Sequence, residues 1–192
     1  MAKIGVLALQ GDFAEHIEVL HDMGVEALEV RLPHHLQKVD ALIIPGGEST
    51  TIARLMETSG LAQEIKGLVE KGMPVWGTCA GMIVLAREIT EDRPQPLGLI
   101  DIRVRRNAFG RQVDSFEEDI PVPGLGEERF RAVFIRAPTI ERMGPGVRPL
   151  AHLSNHKVVA AQEGHVLVTA FHPELTRDHR FHSYFLRMSP DG

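Results

Sequence analysis

Val75-Trp76-Gly77-Thr78-Cys79-Ala80-Gly81-Met82 joins an apolar run to a helical pattern, and two glycines flank the only cysteine in the chain. A side chain at a sharp strand-to-helix turn is thrust out of the sheet, so its neighbours must lack bulk to avoid collision. Gly77 and Gly81 meet that need. The turn also aims the first free N–H groups of the following helix at the sulfur, and the positive end of that helix favours thiolate over thiol. Taken alone, the segment leaves a second reading open, in which Cys79 is a small buried hydrophobe chosen for packing.

Outward from this turn, apolar runs at 3–9, 25–32, 40–44 and 73–77 alternate with helical spacing at 12–23, 49–58, 61–71 and 80–89. In the first helix Phe13, Ile17, Leu20 and Met23 share one face, Asp12 with Glu15 reads as a capping pair, and Gly24 stops it. This βαβα order predicts an α/β fold of three layers: a mostly parallel central sheet with helices on both faces. Ligands then gather at the carboxyl ends of the strands. The second half changes character, because short strand patterns at 99–105, 130–136, 150–154, 157–162 and 166–171 are separated by Gly/Pro turns. They predict a mixed or antiparallel extension. Residues 107–128 have weak periodicity and read as a loop, and a closing helix over 178–188 offers Phe181, Phe185 and Met188 to the core. One domain over 1–188, with a short tail at 189–192, is expected of 192 residues that are 43% hydrophobic.

Composition excludes several classes. The net charge of −5 comes from 26 acidic against 21 basic residues, with no basic stripe for a phosphate backbone. No apolar run reaches transmembrane length, and the one at the start is too short for a signal peptide. A single cysteine permits no intrachain disulfide, and a reducing cytoplasm suits a working thiol. Ten histidines are present. His179 and His182 share a helical face, but no Cys or carboxylate cluster completes a recognisable metal set, so no metal is expected. Gly124-Leu125-Gly126 lacks the third glycine of a dinucleotide fingerprint.

Two further segments bear on Cys79. Residues 166–174 read as a buried strand that ends at His172, followed by Pro173 and Glu174. Pro173 forbids a continued ladder and pushes His172 to extended geometry. A nucleophile, a base and an orienting acid are then all available once folding brings them together. Asp40-Ala41-Leu42-Ile43-Ile44-Pro45-Gly46-Gly47-Glu48-Ser49 is another strand that runs into a glycine pair and a helix start. Paired glycines let backbone N–H groups approach a ligand, as an oxyanion hole requires. A plain tight turn reads the same way. Ser49 lacks the downstream glycine of a nucleophile elbow and reads as a cap or ligand contact.

Pro45-Gly46-Gly47, Gly77-Thr78-Cys79-Ala80-Gly81 and Phe171-His172-Pro173-Glu174, in this order, resemble class I (triad) glutamine amidotransferases. Leu9-Gln10-Gly11-Asp12, Gly46-Gly47-Glu48-Ser49-Thr50-Thr51, Arg106-Asn107-Ala108-Phe109-Gly110-Arg111-Gln112 and Phe134-Ile135-Arg136-Ala137-Pro138 narrow the resemblance to the PdxT family, the glutaminase subunits of pyridoxal 5′-phosphate synthase. The resemblance implies a flavodoxin-like amidotransferase fold and hydrolysis of L-glutamine to glutamate and ammonia through a thioester on Cys79. It gives His172 the role of general base and then acid, and Glu174 that of its orienting carboxylate. It implies backbone N–H groups of Gly47 and Ala80 as the oxyanion hole, and Gly47, Glu48, Ser49, Arg106, Ile135 and Arg136 around the glutamine. Gln10 is implied near the interface with a partner, a (β/α)8-barrel synthase that takes the ammonia and combines it with a pentose phosphate and a triose phosphate. In that family the glutaminase is weak until docked, and this half needs no cofactor. The alternatives are a different class I amidotransferase, such as the one that feeds histidine biosynthesis, a non-catalytic module on the same fold, and a cysteine hydrolase of the related peptidase-like or chaperone-like group, which would not explain the glutamine-pocket segments.

Overall fold

The computed structural model describes residues 2–109 and 114–189. Gly110, Arg111 and Gln112 of the arginine–asparagine motif, and residues 190–192 of the tail, lie outside that range.

Four short apolar strands open the chain: β1 (Lys3–Leu7), β2 (Glu26–Val30), β3 (Ala41–Ile44) and β4 (Val75–Thr78). They pair in parallel in the order β2-β1-β3-β4, and β12 (Val166–Thr169) joins beside β4, also parallel. β3, β4 and β12 are buried at every residue, which is why their sequences are unbroken apolar runs and not alternating ones. Beyond β12 the sheet turns antiparallel through β11 (Val158–Glu163), β9 (Thr139–Met143) and β6 (Ile100–Arg105). β10 (Arg148–His152) pairs with β11, and β5 (Ala86–Ile89) closes the edge parallel to β6. The parallel half and the antiparallel extension are therefore both present.

Helices cover both faces, and β4 shows how. Trp76 turns toward α1 (Phe13–Asp22) and α5 (Arg180–Leu186), with its ring 4.9 Å from that of His182 and 5.6 Å from that of Phe185. Gly77, the next residue, turns the other way, against α4 (Ala80–Leu85), which also packs on α2 (Ser49–Thr58). α3 (Leu61–Glu70) lies beside α2 and buries Leu61, Ile65 and Val69. Gly24 takes φ +73°, the left-handed stop expected after α1. Among the described residues no helix is long and apolar enough to cross a membrane.

Four expectations are corrected. The helix expected over 80–89 ends at Leu85, and Ala86–Ile89 is β5. Its residues are compatible with a helix, but the edge of β6 captures them, with Ala86 opposite Ile100 and Ile89 opposite Val104. Within the stretch read as a loop over 107–128, β7 (Ser115–Ile120) forms an antiparallel ladder with β8 (Phe130–Ile135). Phe116 stacks on Phe134 at 4.6 Å between ring centres, while Glu117 and Asp119 face outward onto Arg131. The acidic run Glu117-Glu118-Asp119 hid that alternation. β9 had no counterpart in the sequence reading. Finally, Asp12 makes no side-chain capping bond to α1, and its carboxylate faces His172 instead.

Candidate active site

The carboxyl ends of β1, β3, β4 and β12 lie side by side, next to the point where the strand order reverses between β1 and its two neighbours. That is where an open α/β sheet leaves a crevice. Each of the four ends delivers one part of the site.

β4 ends in Cys79 at φ 48° and ψ −101°, a left-handed backbone that a residue with a side chain rarely adopts. Such a conformation costs about 1–3 kcal/mol and persists only where the surroundings enforce it. Here they do. A Cβ on Gly77 would strike the backbone of Gly81, and one on Gly81 would strike the carbonyl of Ile44. Both glycines are thus required so that α4 can lie directly over β3 and β4. Gly81→Ala is expected to destabilise the protein by about 2 kcal/mol, read as a lower thermal midpoint, and to displace Cys79 enough to lower its alkylation rate.

β12 leads to His172, whose backbone N–H donates to Val133 O at 2.8 Å and so fixes the main chain from which the ring projects. Pro173–Leu175 then forms a single 3-10 turn that folds Glu174 back beneath it. Glu174 Oε1 accepts from His172 Nδ1 at 2.7 Å, and both side chains are buried. Nδ1 is thereby occupied, which leaves Nε2 for the sulfur. Burial works against a charged ring, but hydrogen bonds and charge from Cys79 and Glu174 outweigh it, so the His172 pKa is pushed up to about 10. Burial raises the Glu174 carboxyl, opposed by the same imidazolium. The arrangement holds His172 as an imidazolium between the sulfur and a buried carboxylate.

Asp12, at the end of the β1 loop, reaches the other side of His172 Nδ1 at 3.5 Å. Sequence reasoning missed it as a site residue, because a short acidic residue before a helix is more often a cap. Asp12, His172 and Glu174 bring ligand atoms within 4.8 Å of one another.

β3 delivers Gly46 and Gly47. A Cβ on Gly46 would enter the His172 ring, and one on Gly47 would meet Gln10 Oε1. Gln10 Oε1 in turn accepts from Glu48 N at 2.8 Å, so Gln10 is bound to the residue that follows the glycine pair. Glu48 caps α2, accepting from Thr50 N, Thr51 N and Thr51 Oγ1. Burial is the largest single influence and opposes the charge, but these donors together outweigh it and bring the Glu48 pKa down to about 2.

A cavity of about 400 Å³ opens above the sulfur. Of the site residues named from the sequence, Gly47, Glu48, Ser49, Cys79, Ala80, Arg106, Ile135, Arg136 and His172 line it. Glu174 lies behind His172 and Gln10 behind Gly47. Asp12, Ile83 and Asn107 line the cavity too and were not anticipated. Among the described residues Ser49 Oγ has no hydrogen-bond partner, although it is buried. Arg106 is held by Arg93 O at 2.9 Å and by Glu48 Oε1 at 3.5 Å. Ile135 O lies 3.8 Å from Cys79 Sγ, and Arg136 projects outward toward Asp114.

Residues 6–190 match the SNO glutamine amidotransferase family. The chain belongs to that family. It is 58% identical over 187 residues to the "Pyridoxal 5′-phosphate synthase subunit PdxT" of Roseiflexus sp. strain RS-1, across 96% of this chain and 99% of that one. The protein of the same name from Herpetosiphon aurantiacus is 59% identical over 186 residues, across 95% and 98%. A crystal structure of a glutamine amidotransferase superposes with a TM-score of 0.91 at 53% identity, covering 96% of this chain and 97% of that one. PurLQS from Thermotoga maritima, at 16% identity, shares the fold with a TM-score of 0.73, across 97% and 99%.

Proposed function

We propose that this chain hydrolyses L-glutamine to glutamate and ammonia at Cys79 and delivers the ammonia to the synthase subunit of pyridoxal 5′-phosphate synthase. The observation that carries the reading is the convergence of Cys79, His172 and Glu174 at a cavity that Arg106 also lines. The Cys79 thiolate attacks the side-chain amide carbon and forms a C–S bond, and the oxygen becomes an oxyanion. Gly47 N–H and Ala80 N–H receive that charge. Ala80 is the first residue of α4, and such N–H groups have no acceptor within the helix. His172 Nε2–H gives its proton to the amide nitrogen, the C–N bond breaks and ammonia leaves. Neutral His172 then takes a proton from water, whose oxygen attacks the thioester and releases glutamate and the thiolate.

Arg106, Ser49 and the α2 N-terminus face the end where the α-carboxylate of glutamine would lie. A guanidinium donates two parallel hydrogen bonds there, and Ser49 Oγ supplies a further group, unpartnered among the described residues. Glu48 acts indirectly, because its carboxylate holds the helix cap and Arg106. Ile135 and Arg136 close the outer wall. Gln10, bound to Glu48 N beside Gly47, couples the partner-facing loop to the oxyanion donors. Ammonia must be kept from protonation by bulk water, which favours direct docking and an internal channel. We assign the protein to a reducing cytoplasm, which keeps Cys79 free, and treat residues 1–188 as one domain.

The test is glutamine turnover with and without the synthase. Turnover is expected to be low alone and to rise when the synthase is added. Equal turnover in both conditions would remove the coupling.

A further inference from the structure

Behind Glu174, on the side away from the cavity, lies a pair of histidines that the reaction above does not use. His16 of α1 and His182 of α5 are both fully enclosed. His16 Nδ1 and His182 Nε2 are 3.0 Å apart, so one N–H lies between them. The opposite nitrogen, His16 Nε2, is 3.2 Å from Thr78 Oγ1 and 3.4 Å from Glu174 Oε2. Glu174 Oε1 is taken by His172, whereas among the described residues Oε2 is buried without a hydrogen-bond partner, and so is His182 Nδ1.

Both rings are neutral. Burial first, then the neighbouring His182 and His172, hold His16 well below the ordinary histidine range, while burial and His179 bring His182 to about 3. A neutral ring carries one proton, so the pair has two arrangements. If His16 carried it on Nδ1, its bare Nε2 lone pair would face the carboxylate. His182 would then hold an N–H at Nδ1, buried with no acceptor. If His16 carries it on Nε2, an N–H faces Glu174 Oε2 and Thr78, and His182 Nε2–H donates to His16 Nδ1. The atom left over is then a lone pair. Orphaned buried N–H groups are rarer than under-used acceptors, and a buried anionic oxygen without a donor is costly.

We propose that His16 is a positioning residue for the hydrolysis: its Nε2–H, with the tautomer set by His182, steadies the inner oxygen of Glu174 so that the outer oxygen stays on His172 Nδ1. The proposal rests on the glutaminase reading above. At 3.4 Å the contact is longer than a formed hydrogen bond and shares its donor with Thr78. Such contacts in substrate-free sites commonly tighten when the reacting complex forms. The groups facing Glu174 are His172, its own backbone N–H, Asp12 and His16, of which Asp12 opposes its charge. Among the described residues His16 Nε2 is the side-chain nitrogen that lies beside Oε2. Without it, Glu174 takes a proton at higher pH, and a neutral acid no longer anchors the imidazolium.

The experiment has two arms. In the first, wild type, His16→Leu and His16→Gln are each assembled with the synthase, and kcat and KM for glutamine are followed against pH. His16→Leu is expected to move the acidic limb of kcat/KM up by about one pH unit and to lower kcat about tenfold with little change in KM, the effect of one donor lost from a charged group. The amide nitrogen of His16→Gln can stand where Nε2 stood and is expected to recover most of the loss. A His16→Leu profile that superimposes on wild type overturns the proposal. The second arm needs no variant: nitrogen-15 NMR of the wild-type chain is expected to show His16 neutral and protonated on Nε2. An Nδ1-protonated ring overturns the proposal even if the leucine variant does not fold. A wild-type complex inactive on glutamine refutes the glutaminase reading instead, whatever the tautomer.

Discussion

Cys79→Ala is expected to abolish glutamine hydrolysis in the assembled complex, a loss on the order of 10⁴- to 10⁶-fold, because a triad acts as one unit and nothing replaces the sulfur. The physical reason is local. Cys79 is the single cysteine in the chain and stands on the turn that Gly77 and Gly81 permit. His172 without a thiolate has no nucleophile to serve. The fold should survive, since the cysteine is small and makes no disulfide. The check is glutamate release by wild type and variant at equal complex concentration, together with thermal midpoints. A variant that folds and still turns over glutamine would move the chemistry elsewhere.

Glu174→Gln should be almost as damaging, on the order of 10³- to 10⁴-fold in kcat, although it changes one atom. An amide nitrogen placed at His172 Nδ1 would drive the proton to Nε2 and leave the ring unable to accept one there. Charge matters as well. Glu174 is one of the groups that hold His172 up to about 10 against burial, so its removal lets the ring lose its proton at lower pH. The sign follows for stability too. A histidine raised above its unfolded value of 6.5 contributes stability that is fully present below that pH and is lost as pH rises through about 10. Glu174→Gln should remove part of that contribution at neutral pH, lower the thermal midpoint there, and move the basic limb of kcat/KM downward. A variant with unchanged pH limbs would mean that Glu174 is only a packing residue.

Much of this site was legible in the chain because its chemistry is carried by local backbone demands. Glycines at 77 and 81 announce a tight elbow before any contact is known, and Pro173 after a buried strand announces a rigid end at His172. Helix α2 was readable to its ends, Ser49–Thr58, since its polar start and apolar spacing agree with its burial. What failed was whatever a distant strand decides. Ala86-Arg87-Glu88-Ile89 is a competent helix continuation, and only the edge of β6 makes it a strand. The acidic β7 is ordered by Phe116 on Phe134 and by Arg131, partners that local spacing does not reveal. His16 and Asp12 were missed for a related reason. His16 shares the apolar face of α1 with Phe13 and Leu20, a signal of burial, but nothing local says that Glu174 lies opposite. Asp12 resembled a cap until the neighbouring strand ends brought His172 beside it.

The most direct measurement is covalent trapping with 6-diazo-5-oxonorleucine, a glutamine analogue whose electrophile is captured by the group that attacks the amide. The protein, incubated with the synthase, should gain one adduct per chain by intact mass, and peptide mapping should place it on Cys79, with competition by L-glutamine. No adduct in the assembled complex, or one carried by another residue, would contradict the account.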